Sequence, residues 1–239
     1  MQQVFTELLF PRRCPVCDDI IKNWGKLCCP HCMQKLQYLG EHFCIKCGKG
    51  LSKQETEYCS DCRKYPHKFT RGRSLYCYES VAGSLFRFKY QGRQEYADFW
   101  GEELYRHLGN DIRGMKADAI VPVPLHKSRY QERGYNQSAL LAKALAKHME
   151  IPCLDKIVVR NKKTLPQKQL NYAERQNNLK KAFKLSVNDV KLNTVIIVDD
   201  IYTTGSTVDA LSEVFLENAV VICMWYYCIP DYFGTMCTL

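Results

Sequence analysis

The segment VIIVDDIYTTGST, from Val195 to Thr207, decides the fold that the sequence predicts for the C-terminal part of this chain. Its first residues are apolar and β-branched, which is typical of a central parallel strand buried on both faces. Two adjacent carboxylates, Asp199 and Asp200, follow, and a loop rich in threonine and serine then leads into a further periodic segment. The segment therefore predicts a strand, a polar loop and a helix, with the polar side chains at the carboxyl end of the strand.

The residue types in and before this loop favour binding of a ribose 5-phosphate. Two neighbouring carboxylates can accept hydrogen bonds from the two hydroxyls of a ribose. The following residues stand at a predicted helix N-terminus, where backbone N–H groups and the helix dipole favour a phosphate; they are Thr203, Thr204, Gly205, Ser206 and Thr207. An N-cap turn with two surface aspartates is the alternative that these residues leave open.

Strands and helices alternate around this segment from residue 75 onward. Periodicity predicts helices over 82–90, 95–108, 138–148 and 206–218, and strands over 75–80, 118–124, 156–159, 182–185, 194–200 and 219–229. Helices between strands indicate an α/β fold with a mainly parallel sheet of about five strands and a ligand site at its carboxyl edge. The chain has neither G-x-x-x-x-G-K-[ST] nor G-x-G-x-x-G, so a P-loop or dinucleotide-binding fold is not supported.

The N-terminal part contains four C-x-x-C pairs with a constant period of 15 residues: Cys14 and Cys17, Cys29 and Cys32, Cys44 and Cys47, Cys59 and Cys62. Two such pairs supply the four thiolates of a tetrahedral zinc site, so eight ligands predict two structural Zn²⁺ ions. Iron–sulfur clusters and thioredoxin-like redox pairs fit this regular spacing less well. The equal spacing leaves the pairing open, although adjacent pairs close the shortest loops. Cys28 and His31 are predicted to be bystanders, and isolated cysteines such as Cys77 buried thiols.

Composition and charge narrow the functional classes. The 239 residues carry a net charge of +9, and no apolar run reaches the length of a membrane span. The N-terminus lacks signal-peptide features, so a cytoplasmic protein that is not an integral membrane protein is expected. Positive charge is concentrated in residues 1–74 and 156–184, which suits phosphates or nucleic acid, although solvated surfaces are an equal alternative. The basic segment 63–74 is predicted to be a linker between domains at 1–68 and 75–239.

Taken in order, these segments resemble the ComF/GntX family of competence-related proteins, in which a double zinc ribbon precedes a type I phosphoribosyltransferase-like domain. The resemblance is carried by the cysteine pairs and by FKYQGR (88–93), VPVPLHKSRYQERGYNQ (121–137), TLPQKQL (164–170), ERQNNLKKAF (174–183) and VIIVDDIYTTGST. No role follows from the chemistry of Lys89, Tyr90 and Arg93 in the first of these segments.

The resemblance implies roles for individual residues. Asp199 and Asp200 would contact the ribose of phosphoribosyl pyrophosphate, directly or through Mg²⁺, and residues 203–207 its 5-phosphate. The turn of Pro124, Leu125 and His126 would be the pyrophosphate loop, and the following loop would add two cations, Arg129 and Arg133. The basic stretch 160–178 would close over the substrate through residues that include Gln167 and Arg175, with a solvated hairpin as its alternative.

The resemblance also implies a DNA-uptake factor whose partners would be single-stranded DNA and proteins of the uptake machinery. Aromatic residues among the N-terminal basic residues suit contacts with single-stranded DNA, but they would equally form the small core of a zinc module; they are Phe43, Tyr58, Tyr65 and Phe69. An active phosphoribosyltransferase of nucleotide metabolism is the other expectation. No segment identifies its nitrogen acceptor or a catalytic residue, so turnover stays open at this point.

Overall fold

A computed structural model of the chain describes residues 11–22, 25–161, 179, 182–186, 191–216 and 221–229, the last range by its backbone. The helices are α1 (Pro30–Met33), α2 (Ser60–Lys64), α3 (Tyr78–Tyr90), α4 (Tyr96–Gly114), α5 (Lys127–Arg133), α6 (Gln137–Met149) and α7 (Ser206–Leu216). The strands are β1 (Arg71–Cys77), β2 (Ala119–Pro122), β3 (Val158–Arg160), β4 (Phe183–Leu185), β5 (Thr194–Ile201) and β6 (Val221–Ile229).

Four strands form a parallel sheet in the order β1-β6-β5-β2. Ile120 of β2 also forms a parallel bridge with Cys153, which extends the sheet beyond β2. β3 and β4 pair separately as a short antiparallel ribbon. The described part of the chain thus confirms the parallel α/β architecture, with four full strands and one further bridge where about five strands were expected.

Both faces of β5 are buried, which explains its almost continuous apolar sequence. Ile196 and Val198 point to one face, where they pack in the same cluster as helices α3, α4 and α6. Val195 and Ile197 point to the other face, which α7 covers with Val208, Leu211 and Phe215. The alternation of side chains along a strand therefore divides one apolar run between two cores.

The two cysteine modules lie against different faces of this sheet. Cys14, Cys28 and Cys32 belong to the cluster that contains helices α3, α4 and α6. Cys44, Cys47 and Cys59 belong to the cluster that contains α7. The two cysteine modules of the N-terminal region therefore pack on opposite faces of the sheet.

Three sequence predictions about local structure were wrong. The segment 63–74 is not only a linker, because α2 extends to Lys64 and β1 begins at Arg71. The residues after the predicted pyrophosphate turn, expected as a loop, form helix α5, which ends at Arg133 and is capped by Gly134 with a φ of 79°. Cys77 is buried as expected, but it is disulfide-bonded rather than a thiol.

Candidate phosphate-binding site and zinc centres

The eight paired cysteines form two separate clusters. Cys14, Cys17, Cys29 and Cys32 make the first cluster, Cys44, Cys47, Cys59 and Cys62 the second, and within each cluster all Sγ atoms lie within 4.8 Å of one another. A tetrahedral zinc ion with Zn–S bonds of about 2.3 Å requires sulfur separations of ~3.8 Å, and Cys47 and Cys59 are 3.7 Å apart. Both clusters fit Zn²⁺, and adjacent pairs share each site.

Cys28 lies beside the first cluster without being one of its four members. Its buried Sγ is 3.6 Å from Cys14 Sγ. This contact lowers the pKa of Cys14 to about 3, whereas burial raises the pKa of Cys29 to about 11 and that of Cys32 to about 12. In the absence of metal the cluster therefore holds protons, which Zn²⁺ must displace when all four sulfurs bind as thiolates.

Helix α3 and its C-terminal turn hold the first cysteine module. The Arg87 guanidinium donates hydrogen bonds to the carbonyl oxygens of Pro15 and Val16, at 3.2 and 2.7 Å. Asp18 accepts hydrogen bonds from Arg93 Nη2 at 3.1 Å and from the Tyr96 hydroxyl at 2.5 Å, and Arg93 Nε lies 2.9 Å from the same carboxylate as an ion pair. The knuckle that carries Cys14 and Cys17 is therefore fixed to the start of the C-terminal domain.

Asp199 and Asp200 lie at the carboxyl end of β5, as the sequence predicted. Asp199 Oδ1 accepts hydrogen bonds from Ser138 Oγ and from the backbone N–H of Asp200, both at 2.9 Å. Burial, and secondly the charge of Asp200, raises the pKa of Asp199 to about 7. Lys89 Nζ is 2.6 Å from Asp200 Oδ2, and these side chains are only 14% and 13% exposed. One carboxylate thus accepts a hydrogen bond from a serine hydroxyl in the first turn of α6, and the other is paired with a largely buried ammonium.

The loop after β5 has the geometry of a tight turn into α7. Gly205 has a φ of 76°, a region that side chains rarely adopt. A Cβ at this position would stand 2.8 Å from both His67 Cε1 and Tyr202 Oη. Thr204 Oγ1 and Ser206 Oγ are 2.9 Å apart, and the N–H groups of Val208 and Asp209 bond to the Gly205 carbonyl. The turn requires glycine for both backbone conformation and space.

The predicted pyrophosphate turn lies beside the two aspartates. The Val123 N–H donates to the Val198 carbonyl at 3.0 Å, so Pro124, Leu125 and His126 leave the sheet next to Asp199. His126 is the N-cap of α5, and its Nδ1 accepts from the Ser128 N–H at 3.2 Å. The structure brings this turn, the aspartates and the Thr203–Thr207 loop to one edge of the sheet.

The two α5 arginines differ in their surroundings. Arg133 donates to Gln137 Oε1 at 2.9 Å, and its guanidinium lies 5.1 Å from the centre of the Tyr90 ring. Arg129 lies near Arg160, whose pKa falls to about 10 because of burial and, secondly, the charge of Arg129; the charge of Asp199 opposes this fall. Arg160 therefore brings positive charge toward Asp199, with Arg129 in its vicinity. Gln167 and Arg175 lie outside the described residues.

Sequence reasoning missed two residues at this site, Lys89 and Ser138, and it included Arg160 only as the first residue of the basic stretch 160–178. Lys89 and Ser138 come from α3 and from the first turn of α6, far from Asp199 in sequence. The FKYQGR segment was noticed, but its pattern alone assigned no partner to Lys89. Asn136, the N-cap of α6, donates to the Val123 carbonyl at 3.0 Å and so orients the helix start that carries Ser138.

Two protein-domain families match the chain. The double zinc ribbon domain matches residues 5–63, and the phosphoribosyl transferase domain matches residues 136–229. Of the solved structures, an adenine phosphoribosyltransferase is 20% identical with a TM-score of 0.40, covering 63% of this chain and 76% of its own. The same enzyme from Saccharomyces cerevisiae is 18% identical with a TM-score of 0.37, covering 62% and 74%. Among the described residues, every helix is too short or too polar to cross a membrane.

Curated relatives match over a comparable part of the chain. "Competence protein F" of Haemophilus influenzae is 38% identical over 59% of this chain and 64% of its own length. "DNA utilization protein YhgH" of Escherichia coli is 38% identical over 46% and 49%, and "Competence protein ComFC" of Bacillus subtilis is 30% identical over 62% and 59%. The matches thus span about half to two thirds of these relatives. The chain is thus similar to competence protein F and ComFC over part of its length, and it contains matches to a double zinc ribbon domain and to a phosphoribosyl transferase domain.

Proposed function

We propose that this protein binds phosphoribosyl pyrophosphate with Mg²⁺ and acts in the cytoplasm in the handling of DNA taken up during natural transformation. The observation that carries the ligand is the edge of the sheet where Asp199 and Asp200 adjoin both the Thr203–Thr207 loop and the turn at residues 124–126. The names of the relatives, which refer to competence and DNA utilization, support the cellular role. Domains at 1–68 and 75–239 are part of the proposal.

The residues at the sheet edge fit each part of this ligand. The backbone N–H groups of 203–207 at the start of α7 suit the 5-phosphate. Asp199 and Asp200 are oxygen ligands of the kind that Mg²⁺ prefers, and Mg²⁺ would screen the charge of the pyrophosphate. Arg129 and Arg160 are two cations near the end of the site proposed for the pyrophosphate. Arginine suits bidentate contacts with phosphate oxygens.

Calorimetric titration tests the ligand assignment. The full-length, zinc-loaded protein is titrated with phosphoribosyl pyrophosphate in the presence of Mg²⁺, beside the variant Asp199→Ala/Asp200→Ala. We expect the variant to lose at least about tenfold in affinity, since it lacks both carboxylates. Asp118→Ala, which removes a carboxylate bonded to the Asn193 and Thr194 N–H groups at the opposite end of β5, is the control. Equal affinity in all three proteins would refute the assignment.

A surface where the second cysteine module meets β1 supports contact with single-stranded DNA. A cavity of about 180 Å³ is lined there by Phe43, Arg71 and Arg73, with Asp111 of α4 at its wall, and the Arg73 guanidinium lies 3.2 Å from the centre of the Phe43 ring. Tyr58 is 40% exposed, whereas Phe69 is fully buried and belongs to the core. Of the four aromatic residues that the sequence singled out, Tyr58 is thus available for stacking and Phe69 is not.

The DNA role is tested by the salt dependence of binding to an oligonucleotide. Each phosphate that a cation neutralises contributes about −0.7 to the slope of log K against log salt concentration. Arg63→Ser/Lys64→Ser, on exposed residues of α2, is expected to weaken binding and to flatten the slope. Lys116→Ser/Lys147→Ser, on exposed residues of the C-terminal domain, is the charge-matched control. Equal slopes for both variants would argue against a DNA contact at the cysteine module.

A phosphoribosyltransferase reaction is the second candidate, favoured by the match of residues 136–229 to the phosphoribosyl transferase domain. A nitrogen acceptor would displace pyrophosphate from C1 of the ribose, and Arg129 and Arg160 would stabilise the departing charge. Release of pyrophosphate on addition of nucleobases, other nitrogen acceptors or DNA would demonstrate this activity. Ligand binding without release would leave the fold as a binding module.

A further inference from the structure

The segment that follows the last cysteine pair, Cys59 and Cys62, contacts the loop at 203–207 and the start of the helix after it. His67 Nδ1 is 2.8 Å from Asp209 Oδ2, and these side chains are 1% and 3% exposed. The Lys68 N–H donates to the other oxygen of the same carboxylate at 2.8 Å. Asp209 lies in the first turn of α7, directly after the loop. Both oxygens of the Asp209 carboxylate are therefore bonded to residues that precede β1 in the chain.

His67 also contacts the loop on its glycine side. Its Nε2 is 3.2 Å from the Tyr202 hydroxyl, and its ring would stand 2.8 Å from a Cβ at Gly205. A neutral imidazole with its proton on Nδ1 satisfies both neighbours, donating to Asp209 and accepting from Tyr202. Phe69, with its ring centre 4.8 Å from that of His67, stacks on the imidazole. The side chain is thus fixed by a polar contact at each ring nitrogen and by stacking on Phe69.

A cavity of about 70 Å³ lies at the same place. Loop residues Thr203 and Thr204 line it together with His67 and Lys49, and Cys47 and Cys59 of the second cysteine cluster complete its wall. Lys49 is 8% exposed, and its Nζ is 3.4 Å from Asp61 Oδ2. The second module and the loop therefore share a boundary, and His67 is the residue that contacts Gly205, Tyr202 and Asp209.

We propose that His67 is a positioning residue for the phosphate-binding loop: it holds Tyr202, Gly205 and Asp209 so that the N–H groups of 203–207 converge on a ribose 5-phosphate. This inference rests on the proposed function, because it assigns a determinant of phosphate affinity within that site. His67 acts through the loop and does not touch the phosphate. The phosphate end of the site is then positioned by a residue that lies outside the C-terminal domain.

The test compares three ligands, which report on different ends of the site. Full-length zinc-loaded protein with Mg²⁺ is titrated with phosphoribosyl pyrophosphate, ribose 5-phosphate and inorganic pyrophosphate. His67→Phe retains an aromatic ring but loses both hydrogen bonds, and it is expected to bind the first two ligands about tenfold more weakly, since hydrogen bonds to charged groups are the stronger ones. Affinity for inorganic pyrophosphate is expected to stay within about twofold.

A conservative variant and a control separate positioning from general damage. His67→Asn places an amide N–H where Nδ1 stood and is expected to recover most of the affinity for ribose 5-phosphate. His148→Phe is the matched control, since that ring stacks on Tyr105 at 5.3 Å on the surface of α6. If His67→Phe does not fold with its zinc, Tyr202→Phe tests the same contact, with an expected loss of about threefold for ribose 5-phosphate.

The contrary outcomes are distinct. Unchanged ribose 5-phosphate affinity in His67→Phe, or in Tyr202→Phe where that variant decides, would overturn the positioning role while leaving the proposed function intact. Parallel losses for ribose 5-phosphate and pyrophosphate would also overturn it, because the effect would then not be local to the loop. If the wild type binds none of the three ligands, the proposed function fails and this inference with it.

Discussion

The raised pKa of Asp199 can be tested by changing this one residue. Its pKa is raised to about 7, first by burial and second by Asp200, whereas an unfolded aspartate titrates near 3.9. Because the pKa of Asp199 is higher in the folded state than in the unfolded state, ionisation of this side chain lowers the free energy of unfolding. The loss grows as the pH rises from about 4 to about 7 and is complete above that range. Asp199→Asn lacks this cost.

The free energy of unfolding of zinc-loaded wild type, relative to Asp199→Asn, should therefore fall as the pH rises. Between about pH 5.5 and about pH 8 the linkage relation gives a fall of about 2 kcal/mol. Urea denaturation of both proteins at each pH measures this difference, and effects of pH on the zinc sites largely cancel in the comparison. A difference that is constant with pH, or that grows in favour of the wild type, would contradict the raised pKa.

Lys89 offers a second residue-scale prediction. Its ammonium pairs with Asp200 at 2.6 Å with both side chains mostly buried, so Lys89→Met leaves two neighbouring carboxylates without this cation. We expect a loss of about 2–4 kcal/mol in the free energy of unfolding, since removing one partner of a buried pair leaves an uncompensated charge. Lys143→Met breaks an exposed pair with Asp155 and should cost less than about 1 kcal/mol. Similar losses in the two variants would show that burial does not distinguish these pairs.

At the scale of elements, the sequence was most informative where a pattern is local. The apolar run of β5 and the glycine of the following turn are dictated by burial on two faces and by a positive φ, and both can be seen in VIIVDDIYTTGST. Regular spacing likewise identified the eight cysteines that form the two clusters, without reference to the fold. Helix α5 was missed because its seven residues contain no buried side chain, so no apolar period marks it.

Contacts between distant elements could not be predicted in this way. The Lys89–Asp200 and His67–Asp209 pairs join residues more than 100 positions apart, and no spacing rule connects them. The segment 63–74 illustrates the same limit. Its basic, aperiodic sequence is typical of a linker, yet His67, Phe69 and Gly72 are buried because other elements surround them. Burial of a polar segment is a property of the assembled fold.

The zinc knuckles provide the element-scale prediction. Because adjacent pairs share each site, Cys29→Ser and Cys59→Ser should each reduce the zinc content from about two ions to about one per chain. Acid should release zinc from the intact protein, because protons compete with the metal for the cysteine thiolates. Elemental analysis after desalting measures both effects. Loss of both ions from each variant would show that the two sites depend on one another.

At the scale of the whole molecule, the cysteine modules are parts of the folded core. One packs with α3, α4 and α6 on one face of the sheet, and the other packs with α7 on the opposite face. Helix α3 and the turn after it connect the first module to the candidate site: Arg87 and Arg93 bind the knuckle near Cys14, while Lys89 pairs with Asp200. A displacement of this helix would thus alter a zinc knuckle and a carboxylate of the site together.

This arrangement predicts cooperative unfolding. In urea, and with Trp24 and Trp225 replaced by phenylalanine so that Trp100 is the fluorophore, zinc release detected with a chromophoric chelator and the fluorescence change of buried Trp100 should coincide, as expected when modules and sheet unfold as one unit. Arg87→Met/Arg93→Met removes the hydrogen bonds to Pro15, Val16 and Asp18 and should move release of one of the two zinc ions about 1 M lower in urea than the fluorescence change. Arg113→Met, which removes exposed contacts to Asn110 and Tyr105 on α4, is the control and should leave the transitions together. Separate transitions in the wild type would mean that the first module folds independently, and α3 would then not couple a zinc knuckle to the phosphate-binding edge.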